Sequence, residues 1–391
     1  MKVVFLSPHY PPEMPEFTRG LAEVGAQVIG VGEASRAQLP DRVAHHLTAY
    51  LRVSRLFDEE RTVAELVPEL RRVGVDRIET LWEPLITLAA RLREALDVPG
   101  MSYDTAIGFR DKSVMRARLA AAGLRVPHNA RVRTVDETLR AARAIGYPVV
   151  IKPVAGAGTA DTYGVHSEDE MRALLPSLGH VREASVEEFI TGDEFTYDTV
   201  CIDGVPAFES VAQYHPRPLE SRNQEWISPA QLVFRDPYQP AIMPGIQLGR
   251  AVLKALKMDT GFTHMEWFRK PDGEVVFGEI ASRAPGAKLV DQMNYANDFD
   301  VYREWARTVC WRSFEGHPHR RYHVAAVFKR ALGQGQIRRV EGLQALRTLC
   351  GPRLVVEERC RSARPGGIGS RRCSPTVTSS CAIPTTAPAS I

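Results

Sequence analysis

No CxxC pair occurs in the sequence, and its six cysteines (Cys201, Cys310, Cys350, Cys360, Cys373, Cys381) follow no regular spacing. Nothing there suggests a disulfide framework, and the expectation is a reduced, cytoplasmic protein. No apolar run approaches the ~18 residues of a membrane span, so no membrane partner is expected. The opening MKVVFLSPHYPP has an apolar run too short for a signal peptide and reads as a first strand. Strong charge of either sign is also lacking. The formal net charge is +3, with acids and bases interspersed, which gives nucleic-acid binding no support. No internal repeat is found. What remains is a soluble globular balance, 44% hydrophobic and 25% charged, in 391 residues, enough for two or three packed units.

The first hundred residues alternate strand and helix patterns. KVVFLS and QVIGVGE read as strands. FDEERTVAELVPELRRVG reads as a helix, with its acids early and its arginines late, as the helix dipole prefers. This alternation predicts a parallel sheet with helices on its faces, an α/β class over residues 1–100. From residue 101 helices alternate with strands in a different rhythm. DKSVMRARLAAAGLRVP is a helix with Asp111 as its N-cap, and Thr134 and Glu137 stand at capping-box spacing. Strand-rich segments follow, with turns at Gly192, Asp203-Gly204 and Pro271-Asp272-Gly273, predicting α+β structure. After Glu358 the acids stop and three of the six cysteines appear; with no helical or strand period, residues 359–391 are expected to be disordered or an aberrant tail.

Three segments carry chemistry. PVVIKPVAGAG places Lys152 at a strand end before Gly156 and Gly158, which let backbone N–H groups approach an anion. The lysine precedes the glycines, so this is not a Walker A loop. The alternative for Lys152 alone is a stem packed on a sheet edge with its head in water. VEEFITGDEF offers a strand end whose backbone suits an adenine edge, and carboxylates suited to ribose hydroxyls. A plain hairpin with solvent-facing acids reads equally from the same residues. Glu266 and Glu279 lie on two strands joined by the Pro-Asp-Gly turn. In a hairpin they stand roughly opposite, where two carboxylates repel unless a cation lies between them; Mg²⁺ takes one or two carboxylates plus phosphates. Arg283 is placed to hold a carboxylate or phosphoryl group, and His264 is either a packed imidazole or a substrate contact. SPHYPPEM falls at the C-terminal end of the first strand, where open α/β sheets bind ligands; it is a substrate contact or a proline-stiffened loop.

In this order, the segments resemble the ATP-grasp superfamily of carboxylate–amine ligases, from the first strand to about residue 350. The resemblance implies an ATP-grasp fold with an N-terminal parallel-sheet domain (1–100), a linker helix and lid (101–190) and an antiparallel-sheet catalytic part (191–315). A small C-terminal subdomain (316–358) would follow. RDKSVMRARLAAAGLRVP is similar to the segment of the first ATP lysine, here Lys112, and VVIKPVAGAG to that of the second, Lys152, with its phosphate-covering loop. VEEFITGDEF is similar to the hinge, with Glu187 taking the adenine amino group, the backbone of Glu188, Phe189 and Ile190 completing that contact, and Glu194 holding the ribose. HMEWF and GEIASRAPG resemble the strands carrying the metal ligands Glu266 and Glu279 and the catalytic Arg283, with Lys152 and His264 as further catalytic residues. ATP and Mg²⁺, with Mn²⁺ as the alternative metal, small acid and amine substrates and a homodimer are implied.

Within the superfamily, the pattern is most like bacterial L-amino acid ligases. Three departures stand out: Ala281 where the superfamily often has Asn, Gly286-Ala287 for Gly-Gly, and a tail without the expected strands. Rival readings are a biotin-carboxylase-like enzyme using bicarbonate and an inactive nucleotide-binding relative.

Overall fold

The computed structural model describes residues 1–153, 162–224, 226–330, 340–359 and the strand Thr376–Pro384. Three sheets are formed. The first is parallel and contains β1 (Lys2–Leu6), β2 (Gln27–Gly32), β3 (Ala49–Arg52) and β4 (Arg77–Glu79), in the order β3-β2-β1-β4. Alternate residues of β1 enter two different cores, which explains its unbroken apolar run. Val4 and Leu6 pack with Leu66 and Leu70 of the helix Glu59–Val73 and Leu88 and Leu92 of the helix Ile86–Leu96. Val3 and Phe5 pack on the other side with Phe17, Tyr302 and Trp305. The strand order reverses between β1 and β4, leaving a crevice beyond their C-terminal ends.

The second sheet has the order β5 (Asn129–Val132), β8 (Ala184–Glu188), β6 (Val149–Pro153), β7 (Tyr163–Val165), all pairs antiparallel. It has its own small core with the helices Val135–Ile145 and Glu168–Leu174, including Val149, Ile151, Leu139 and Met171. The capping box of Thr134 and Glu137 opens the first of these helices.

The third sheet is antiparallel and eight-stranded. Its strands are β9 (Asp193–Ile202), β10 (Val205–His215), β11 (Ala230–Val233), β12 (Gly261–Arg269), β13 (Val275–Ala281), β14 (Tyr322–Arg330), β15 (Leu354–Arg359) and β16 (Thr376–Pro384). They run in the order β13-β12-β9-β10-β11-β14-β16-β15. On β9 and β12 the faces separate cleanly. Phe195, Tyr197, Met265 and Trp267 turn to a core shared with the helix Met243–Ala255, while Glu194, Thr196, Asp198, His264 and Glu266 occupy the register positions of the opposite face. Further along that opposite face, Val200 and Phe262 join the core beneath β1. The parallel sheet is thereby docked on the large sheet.

Two features of the C-terminal part bear on its expected division. β14, within the expected C-terminal subdomain, pairs with β11 and so continues the large sheet. Within the segment expected to lack regular structure, β16 pairs with both β14 and β15. Backbone pairing on two sides forms a strand there without an apolar pattern, a case of context overriding composition.

Candidate active site

Pairing of β12 with β13 sets Glu266 opposite Glu279. The register then slips by one residue, because Trp267 pairs with Phe277 and Gly278 is left over as a bulge. This bulge lets Phe277 and Ile280 both reach the core while Glu279 between them faces Glu266. Gly278 has no room for a side chain, since a Cβ there would lie 2.8 Å from the Glu266 carbonyl oxygen. Burial raises the Glu266 carboxyl above its usual range, and repulsion from Glu279 adds to the rise. At Glu279 burial acts the same way but is outweighed by Lys112, and by the charges of Lys152 and Arg283, so its pKa falls.

Lys112 reaches Glu279 from outside the sheet. Asp111 caps its helix, accepting from the Ser113 and Val114 N–H groups at 2.8 and 3.0 Å, which sets Lys112 at the first helical position. Its Nζ lies 2.9 Å from Glu279 Oε2. Arg283, just past β13, donates from Nε to Glu83 Oε2 at 3.0 Å, and Arg110 Nη1 lies 3.6 Å from Glu83 Oε1. His264 Nδ1 is 2.6 Å from Asp198 Oδ1, with Nε2 3.8 Å from Glu266 Oε1. The Thr196 hydroxyl donates to Asp198 Oδ2 at 2.7 Å.

At the hinge, Lys152 Nζ is 2.8 Å from Glu187 Oε2, and Arg116 grips Glu187 with two bonds of 2.8 and 2.7 Å. Burial would push the Glu187 carboxyl up, but the Arg116 fork and the Lys152 ammonium hold it at about 2. A carboxylate has roughly four acceptor directions, and these partners leave it little capacity for an adenine amino group. Glu188 turns toward Arg125, 2.6 Å away, and also accepts from the His128 N–H at 3.1 Å, while its own N–H donates to the His128 carbonyl. Phe189 N–H donates to the Pro148 carbonyl. Arg217 completes this corner. Its Nη1 donates to the Ile190 carbonyl at 2.6 Å and its Nε to Glu194 at 3.1 Å. Its guanidinium carbon lies 5.1 Å from the Phe189 ring centre and 4.7 Å from that of Phe268. Burial, then repulsion from Glu266, raise the Glu194 carboxyl to about 7 against the pull of Arg217.

Lys112, Glu194, His264, Glu266, Glu279 and Arg283 therefore form one electrostatic neighbourhood, with Lys152 acting on it through Glu279. Gly156 and Gly158 lie outside the described residues. Sequence reasoning missed Arg116, Asp198, Arg217 and Glu83. A signal existed for Asp198, since Glu194-x-Thr196-x-Asp198 is a period-two polar row; Arg116 stands one helical turn after Lys112. Among the described residues, no group of three or more His, Cys, Asp or Glu side chains is placed to hold a metal. Two facing carboxylates, one with a raised pKa, nevertheless fit a cation that takes its remaining ligands from phosphates.

Residues 111–191 match the family described as Carbamoyl-phosphate synthase L chain, ATP binding domain. The L-arginine-specific L-amino acid ligase of Bacillus subtilis is 29% identical over 232 residues, covering 57% of this chain and 55% of that protein. The matches span about half the length of that relative and about a quarter to a third of other curated relatives. Among solved structures, an L-amino acid ligase from Bacillus licheniformis superposes with a TM-score of 0.74 at 17% identity, over 97% of this chain and 93% of that one. An ADP complex of N5-carboxyaminoimidazole ribonucleotide synthetase gives 0.70 at 15% identity, over 98% and 92%.

The fold is the ATP-grasp fold of these solved structures, and residues 111–191 are similar to an ATP-binding domain. The chain is similar to L-amino acid ligases in sequence over part of its length and in fold over nearly all of it.

Proposed function

We propose that this protein is an ATP-dependent carboxylate–amine ligase acting on amino acids or small acids. The observation that carries the reading is the facing pair Glu266 and Glu279, with Lys112 bound to one of them and the charge of Arg283 acting on both. Phosphoryl transfer asks chiefly for such positioning and charge neutralisation. A substrate carboxylate oxygen attacks the γ-phosphorus of ATP, and the bond to the β–γ bridging oxygen breaks as ADP leaves. The amine, having lost its ammonium proton to solvent, attacks the acyl carbon. Phosphate departs with the electron pair, and the remaining excess proton of the new amide nitrogen is lost.

Lys112 and Lys152 would bind the phosphates, exchanging their present carboxylate partners for phosphate oxygens. Arg283 would hold the reacting carboxylate and the oxyanion of the second step. Glu194, held by Arg217, would take the ribose, and the backbone from Glu188 to Ile190 the adenine edge. His264, oriented by Asp198, would contact substrate. Glu266 and Glu279 would hold Mg²⁺, which supplies charge neutralisation on the phosphates. The second sheet would cover the nucleotide and exclude water, protecting the acyl phosphate from hydrolysis. No described helix is long and apolar enough to cross a membrane; a cytoplasmic homodimer belongs to the same proposal, and sedimentation of the purified protein tests its oligomeric part.

Phosphate release from Mg-ATP with pooled acids and amines tests the activity, with Glu279→Gln as control. Release requiring both an acid and an amine, and abolished in the control, is expected. Release on bicarbonate alone would point to a carboxylase, and ATP binding without turnover on any pool to an inactive relative.

A further inference from the structure

We propose that Tyr10, Phe57 and Trp82 form a side-chain pocket for the acid substrate that selects a large uncharged amino acid, apolar or aromatic. This rests on the ligase reading and adds to it a substrate class. The three rings come from three loops at the C-terminal edge of the parallel sheet. Tyr10 and Trp82 meet edge to face with centroids 4.8 Å apart, and Phe57 meets Trp82 in the same way at 5.0 Å. Although clustered, they do not close into a core: Tyr10 is 39% and Phe57 56% exposed.

Their place in the fold gives the cluster its meaning. Tyr10 follows β1 and Trp82 follows β4, the two strands between which the order reverses, so these rings border the ligand crevice of an open sheet. Phe57 is carried in by a loop anchored on Glu33, which accepts from the Leu56 N–H at 2.6 Å. The crevice also adjoins the transfer site at two points. Trp82 precedes Glu83, the partner of Arg283. Glu13, at the end of the Tyr10 loop, lies beside Gly286 in the loop that follows Arg283, its Oε1 3.9 Å from where a Cβ on that glycine would stand.

The surrounding charges decide the class of side chain. A cationic side chain would find ring faces, but the described acids of these loops already have partners: Glu13 faces the charge of Lys288, Asp58 accepts from the Arg61 N–H, Glu59 is held by Thr87 and Arg91, and Glu83 by Arg283 and Arg110. Two guanidiniums on Glu83 would also repel it. An acidic side chain would meet the negative faces of three rings. A large apolar or aromatic side chain covers exposed ring surface and extends the edge-to-face arrangement.

The test compares kcat/KM for L-phenylalanine, L-alanine and L-arginine as the acid, with a saturating amine, in the wild type and Phe57→Ala. The phenylalanine-to-alanine ratio is expected to exceed about tenfold and to fall about tenfold or more in the variant, the scale at which apolar pockets discriminate. Equal losses on both substrates, or wild-type preference for arginine, would overturn the pocket. Tryptophan fluorescence titrated with L-phenylalanine in the absence of ATP separates this inference from the ligase reading. A response abolished by Trp82→Phe and weakened by Phe57→Ala supports the pocket even if no ligation is found. No response to L-phenylalanine overturns it, whatever the turnover assays give.

Discussion

Lys112 and Glu279 are joined by an ion pair of 2.9 Å although they arrive from opposite ends of the ATP-binding region, one on a helix start and the other on the edge strand of the large sheet. Both side chains remain more than a third exposed, 38% and 36%. Exposed pairs of this kind contribute little to stability, typically about 0–1 kcal/mol. Lys112→Ala should therefore leave thermal unfolding within a few degrees of wild type while lowering ATP-dependent phosphate release by about a hundredfold or more. Parallel calorimetry and turnover measurements check this, and a variant losing both together would make the pair structural.

At the hinge the balance is reversed. Glu187 is buried, and its carboxyl is held down at about 2, below the usual glutamate range. A depressed carboxylate contributes stability that is fully present above the unfolded pKa and is lost as pH falls through the folded one. Glu187→Gln should cost on the order of 3 kcal/mol at pH 7. The deficit should shrink as pH drops from about 4.5 toward 2, where wild type becomes protonated as well. Urea unfolding at several pH values reads this directly; a constant deficit would rule out the charge as its cause.

Arg217 ties Glu194 to the Ile190 carbonyl and lies against two rings. Replacing it by lysine preserves the charge but not the planar fork or the stacking. Arg217→Lys is expected to raise KM for ATP about tenfold or more, with a smaller change in kcat. A fall in kcat at unchanged KM would place Arg217 in the transfer step instead.

Gly278→Ala tests the bulge. The added Cβ lies 2.8 Å from the Glu266 carbonyl oxygen, so one of the two strands must shift. Activity should fall about tenfold or more, because displacements of about 1 Å at a transfer site are costly. The unfolding temperature should drop by several degrees. Wild-type activity in this variant would show that the spacing of the two carboxylates is not critical.

Much of this site was legible because its parts are local. A strand, a Pro-Asp-Gly turn and a second strand set Glu266 across from Glu279 within a short stretch, and Asp111 announced the helix start that presents Lys112. The bulge was not legible, since Gly278 reads as an ordinary small residue until pairing shows it left over. Arg217 and Asp198 escaped for a different reason. Their partners Ile190 and His264 lie 27 and 66 residues away, and only the folded sheet brings them together. Glu187 was readable as a hinge acid but not as one held by two cations, because the second, Arg116, comes from the helix that follows Asp111. β16 was missed because its strand is defined by the neighbours that flank it.

β9 alternates reagent-side and core-side residues one by one from Glu194 to Asp198. A single-residue insertion or deletion within it would exchange the two sets, turning Phe195 and Tyr197 toward the polar face and the carboxylates into the core. Such a strand tolerates changes of letter but not of reading length. Divergence among descendants of this chain should therefore accumulate length changes in the loops around the parallel sheet and spare β9.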